Sequence, residues 1–181
     1  LICMSEIIDS ISKSIEGECL YPAFMSCVCL PDICGYLDSP TSTSVRLRYA
    51  TWFEKYVSMN LYTGHVSGDE AYMLRCVVLH NGELATDQYK NRNSAKSIIL
   101  DKFILASAGS HLTRYQGNFI DGVEQPSIEL INVVRYCQDI VEGVKEWQKA
   151  TGNTLGEGVD SFKIEVGQID LGGVQINCGP V

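Results

Sequence analysis

The chain has 181 residues, 45% of them hydrophobic and 20% charged, which is enough for one domain with a substantial core. Its formal net charge of −8 speaks against a general nucleic-acid coat or a protein that lies on anionic membrane, while leaving room for a small local basic site. No uninterrupted apolar run approaches the roughly 18 residues that span a bilayer, and the first residues lack the basic-then-apolar layout of a signal peptide, so no membrane association and a cytoplasmic location are expected.

Ile7, Ile8, Ile11 and Ile15 share one face of residues 4–17, which predicts an amphipathic helix ending at Gly17. A second apolar helix is expected over residues 21–37, interrupted at Pro31 by a kink or by the start of a short second segment. Asp38 to Thr43 reads as a loop, and residues 43–62 as a third helix with Val45, Tyr49, Trp52, Phe53, Tyr56 and Val57 at three- and four-residue spacing. Such an aromatic stripe belongs in a core.

Residues 67–82 form the central element. Ser67 and Glu70 stand at capping-box spacing, Asn81-Gly82 is suited to a left-handed exit, and the residues between are apolar almost all round. Beyond it, residues 83–97 read as a polar loop, either a lid or a plain connection, with Lys90, Arg92 and Lys96 in it. Strands are expected at residues 98–105 (with a helix as the alternative there), 111–116 and 127–131, the second pairing with the first across Ala108-Gly109-Ser110. Asn132 to Ala150 is a long amphipathic helix, residues 151–160 a glycine-rich linker, and residues 161–177 a tail of short strands. The fold class expected is therefore α+β in a single domain. A mainly helical bundle occupies residues 1–82, and a small antiparallel sheet with one long helix follows, the strands and helix spanning 98–150.

Eight cysteines sit mostly in apolar helical stretches, as buried, reduced small hydrophobes would. Cys27, Cys29 and Cys34 are the one cluster, but a zinc site prefers C-x₂-C knuckles on turns, so neither metal nor cofactor is expected. Phosphate-binding loops, nucleotide fingerprints, zincin helices and serine elbows are all missing from the sequence. The three histidines are His65, His80 and His111.

Chemistry is suggested at Arg75 and His80, five residues apart in the central helix. Positions five apart lie about 140° apart round an α-helix, yet Arg75 is long and His80 stands where the helix ends. An arginine can grip a scissile phosphate and a histidine can move the proton of a ribose 2′-hydroxyl, so RNA cleavage to a cyclic phosphate would need no metal. The alternative is structural: Arg75 pairs with a carboxylate such as Asp32, Asp69 or Glu70, while His80 caps its own helix end.

The R-x₄-H spacing of Arg75 and His80, followed by Asn81, resembles the motif of the HEPN superfamily. That resemblance implies a helical, usually dimeric protein that cuts RNA without metal, often as a toxin beside an antitoxin-like partner or in phage defence, some members being non-catalytic. Arg75 and His80 would be the catalytic pair and Asn81 a helper. Cys76 departs from the polar residue common after the arginine, and the strands of the second half are not part of a plain HEPN bundle. Tyr72 to Gly82 and the Trp52-Phe53-x-Lys55-Tyr56 helix also resemble an uncharacterised bacterial protein family, which brings no activity. Two functions therefore follow as expectations: a metal-independent endoribonuclease acting as a homodimer on RNA, or a non-catalytic binding or assembly protein.

Overall fold

The computed structural model describes residues 4–41, 44–57, 66–81, 102–109, 113–115, 119–120, 123–153, 169–170 and 175–176. Among the described residues, five α-helices precede the first strand. Helix α1 (Met4–Glu16) turns its isoleucine stripe inward, and Ile11 is fully buried. It ends in a Schellman turn: the Cys19 amide donates to the Ser14 carbonyl at 2.8 Å and the Glu18 amide to that of Ile15 at 3.0 Å. The helix thus ends just before Gly17, as expected, and the left-handed position of the turn is held by Glu18, at φ 57°.

Pro31 resolves as a start rather than a kink. Helix α2 (Leu20–Cys27) stops, and α3 (Leu30–Asp38) begins with Pro31 in its first turn, where a missing amide hydrogen loses no helical bond. Contrary to the expectation from apolar runs, the stretch Leu20–Asp38, 19 residues, is long and apolar enough by composition to cross a membrane. In the fold it is two helices whose Ala23, Phe24, Cys27, Leu30 and Cys34 are buried in the core.

Ser44 caps α4 (Val45–Tyr56), accepting from the Leu47 amide at 3.2 Å, and the aromatic stripe is buried as expected. Ser67 and Glu70 make both halves of the capping box that opens α5 (Gly68–Cys76). Gly68 lies so near the Ala50 carbonyl that a Cβ would collide with it, which seats the start of α5 directly on α4. The predicted single helix is not regular throughout: after Cys76 the chain continues as a π turn over Val77–Asn81.

The second half contributes β1 (Lys102–Ala106), β2 (Thr113–Tyr115), β3 (Phe119–Ile120), β4 (Val123–Glu124), β5 (Ile128–Asn132), α6 (Val133–Thr151), β6 (Ile169–Asp170) and β7 (Gln175–Ile176). The three-stranded sheet is mixed rather than antiparallel. Strand β5 lies in the middle, parallel to β1 with Phe103 opposite Glu129, and antiparallel to β2 with Thr113 opposite Leu130. The expected β1–β2 hairpin is thus replaced by two non-local pairings, the parallel one spanned by the long connection that such a pair needs. Asn132 at the end of β5 donates to the Gly109 carbonyl at 3.3 Å, fastening the turn after β1 to the central strand. Strands β3 and β4 form a two-stranded ladder, and so do β6 and β7 in the predicted tail.

Helix α6 joins the two halves. Tyr136, Cys137, Ile140, Val144 and Trp147 are buried, with Tyr136 against Phe24 and Phe53 at ring separations of 5.6 and 6.3 Å. Trp147 donates to the Asp38 carboxylate at 3.2 Å. One core therefore runs through the helices of the first half and the sheet of the second, as the α+β expectation has it. Of the predicted linker 151–160, Thr151 is the last residue of α6 and Gly152 its left-handed cap; residues 154–160, the predicted loop 83–97, and His65 and His111 lie outside the described residues.

Candidate active site

The outer side of α3 and α5 brings together residues distant in sequence. Asp32, in the first turn of α3, accepts from Arg75 Nε at 2.7 Å, and the two side chains are each 19% exposed. Of the three carboxylates proposed for Arg75, the fold selects this one. Asp69 is engaged by Arg46 through two bonds of 2.9 and 2.8 Å, and Glu70 is occupied in the capping box.

Arg75 Nη1 lies 3.1 Å from His80 Nε2. The π turn is what allows this contact. Closing i→i+5 bonds adds a residue to the turn, so residues five apart come to the same side instead of standing about 140° round the axis. His80 is exposed, and it meets Arg75 instead of serving only its own helix end. Arg75 can only donate, so the contact is a hydrogen bond in the tautomer whose Nε2 carries the lone pair. Nη1 also approaches the buried Cys76 sulfur at 3.9 Å, and Nη2 makes no hydrogen bond among the described residues. Among the described residues, two N–H donors of the guanidinium have no acceptor and could meet an anion. Asn81 closes the π turn, but its side chain lies outside the described residues.

The electrostatics are those of a half-buried pair. Burial pushes the Asp32 carboxyl above its ordinary value, with Arg75, Arg48 and His80 pulling it back in part. Burial works against the Arg75 charge, yet Asp32 and Cys76 more than offset it and hold the guanidinium firmly protonated. Behind the pair, burial and then Cys76 push the Tyr72 phenol up to about 12, and its ring meets Tyr49 edge-on at 5.5 Å. The Asp32 Oδ1 atom is buried with no hydrogen-bond partner among the described residues.

Cys27, Cys29 and Cys34 do not converge. Cys27 donates to the Cys137 carbonyl at 3.7 Å, Cys29 to that of Met25 at 3.3 Å, and burial pushes the Cys34 thiol up to about 12. Among the described residues no group of three or more His, Cys, Asp and Glu side chains stands ready for a metal. Cys19 is exposed and Cys29 half-buried, so the reading of the cysteines as core residues holds for Cys27, Cys34, Cys76 and Cys137.

Sequence reasoning missed two contributors. Arg48, on α4, lies close enough to lower the Asp32 carboxyl, and its guanidinium carbon sits 5.4 Å from the centre of the Tyr36 ring. Only the i, i+4 spacing of Asp32 and Tyr36 could have shown that Tyr36 shares this face.

Fold and site together define an α+β protein that presents a carboxylate-anchored arginine beside an exposed histidine. No protein-family model matches the chain, and no curated protein or solved structure matches it either.

Proposed function

We propose that the chain is a metal-independent endoribonuclease, the activity that the HEPN-like motif implies. The observation that carries this is the 3.1 Å contact between Arg75 Nη1 and an exposed His80 Nε2, made across a π turn. His80 Nε2, with its lone pair available once a phosphate draws Arg75 aside, takes the proton of the ribose 2′-hydroxyl. The 2′-oxygen attacks phosphorus, the bond to the 5′-oxygen breaks, and a 2′,3′-cyclic phosphate remains. The charge gathering on the phosphoryl oxygens is met by Arg75, which supplies the cation a metal would otherwise provide. Asp32 is a positioning residue: it holds Nε, Nη1 lies against His80, and Nη2 is left for the phosphate. A second His80, across a homodimer cleft, protonates the leaving 5′-oxygen. A cytoplasmic place in a toxin or phage-defence system, beside an antitoxin-like partner, follows from the same reading.

The second reading is a non-catalytic bacterial binding or assembly protein. The half-buried Arg75–Asp32 bridge favours it, since the bridge also ties α3 to α5. Labelled single-stranded RNA incubated in excess chelator separates the two. Cutting to cyclic-phosphate ends, lost by about a hundredfold or more in His80→Ala and in Arg75→Ala, is the expected result. No cutting by the wild type would leave the binding role.

A further inference from the structure

Among the described residues the exposed large apolar side chains are Tyr21, Tyr36, Val45, Leu47, Ile104 and Val123. Singly exposed apolar residues are ordinary. Tyr36 is set apart by its neighbours. It lies one turn beyond Asp32 on α3, about 6 Å along the axis, on the side of the helix that faces Arg75. More than half of it, 54%, is open to solvent, and Arg48 lies 5.4 Å from the ring centre. The same Arg48 acts on the Asp32 carboxyl. Gly35 lets α4 come this close, because a Cβ there would meet the Arg48 carbonyl at 2.8 Å. The order along this surface is therefore His80, Arg75, Asp32, then Arg48 and Tyr36.

The geometry points to a nucleobase subsite: the half-exposed Tyr36 ring, which carries Arg48 over one face, offers its other face to stack one unpaired base of single-stranded RNA next to the phosphate that Arg75 holds. This rests on the ribonuclease reading and adds a substrate class to it. An exposed aromatic ring offers a base a flat partner of any sequence, and a guanidinium adds cation–π attraction and a contact for the neighbouring phosphate. Bases paired in a duplex have no free face to give, so the subsite selects unpaired strands. The charge pattern agrees. In a chain of net charge −8, this surface holds two arginines, Arg48 and Arg75, so affinity has to come from stacking more than from phosphate contacts. With about two phosphates neutralised, the slope of log affinity against log salt is shallow, about −1.4.

The test uses the full chain and a fluorescein-labelled, fully 2′-O-methylated ten-nucleotide strand, which cannot be cut, with its duplex as control. Tyr36→Ala is expected to weaken single-strand binding about tenfold or more, with Tyr36→Phe within about twofold of the wild type and duplex binding unaffected. Wild-type affinity in Tyr36→Ala overturns the subsite. So does a change in mass by light scattering in that variant, which would make the face a contact between protein chains. Cleavage of unmodified RNA by the same variants keeps the two ideas apart. Loss of stacking without any wild-type cutting supports the subsite and removes the ribonuclease. Cutting with an unchanged KM in Tyr36→Ala supports the ribonuclease and removes the subsite.

Discussion

Asp32→Asn keeps the shape of the side chain and removes its charge, which makes it the most informative single change. Two opposing contributions set its effect on stability. Burial pushes the Asp32 carboxyl up, and Arg75, Arg48 and His80 only partly reverse this. Ionised Asp32 is therefore less favoured in the folded chain than in the unfolded one, and a neutral amide removes that penalty; each tenfold in proton affinity is worth about 1.4 kcal/mol. That penalty is already net of the attraction to Arg75, which holds the carboxylate at 2.7 Å. Arg75 keeps a path to solvent, with 19% of its side chain exposed and an exposed His80 beside it, so it stays far from the roughly 3–5 kcal/mol cost of a fully buried pair broken on one side. The unfolding free energy at pH 7 is therefore expected to stay level or rise by less than about 1 kcal/mol, and Tm by no more than about 2–4 °C. Urea unfolding followed by the fluorescence of Trp52 and Trp147 measures it. The pH dependence carries its own sign. Because the folded carboxyl titrates above its unfolded value, the stability Asp32 contributes is complete below about pH 4 and is lost as pH rises through the raised value. The variant lacks that decline, and if the proposed ribonuclease reading holds, RNA cleavage drops as well because Arg75 is no longer aimed. A loss of about 3 kcal/mol or more at pH 7 would refute this reasoning and make the bridge a device of the fold.

Three further outcomes follow from the same packing. Glu18→Gly relieves a left-handed backbone at φ 57° and should raise unfolding free energy by about 0.5–1 kcal/mol, the gain in the Schellman turn being partly offset in the unfolded chain; thermal melts followed by circular dichroism show it. Gly68→Ala forces a Cβ into the Ala50 carbonyl and should cost about 1–3 kcal/mol, read as a lower urea midpoint with an unchanged slope. Iodoacetamide at pH 8 should label the exposed Cys19 within minutes and leave Cys27 and Cys34 untouched, since burial raises both thiols, Cys34 to about 12; peptide mapping reports the pattern.

What could be read from the sequence was local. The Ser67/Glu70 box, the buried stripe of α4 and the long α6 depend on residues three or four apart, and each formed where the spacing placed it. The sheet was misread because its pairing is not local: β5 belongs between β1 and β2, and neither neighbour is adjacent to it in the chain. Part of the site was closer to legible. Glu70 was already committed by its own capping box, and Asp69 lay within reach of the arginines at the start of α4, so Asp32 was the carboxylate left over. Its 43-residue separation from Arg75 hid the match. Tyr36 and Arg48 meet across the α3–α4 contact, which no periodicity within one helix encodes.

The π turn decides how Arg75 is to be understood. Were Val77–Asn81 regular α-helix, His80 would stand about 140° from Arg75, and the guanidinium would have Asp32 as its one strong partner. A structural bridge needs nothing more than that. The chain instead adopts a turn whose hydrogen bonding is rarer than that of the α-helix, and the residues it brings into register are the two that can do acid–base and phosphate chemistry. The turn has packing to hold it, since Val77 and Val78 are buried while His80 faces out. Apolar anchoring thus fixes an irregular backbone whose polar product, the Arg75–His80 contact, lies at the surface. A contact placed there stabilises the fold little, which is why the proposed function rests on it.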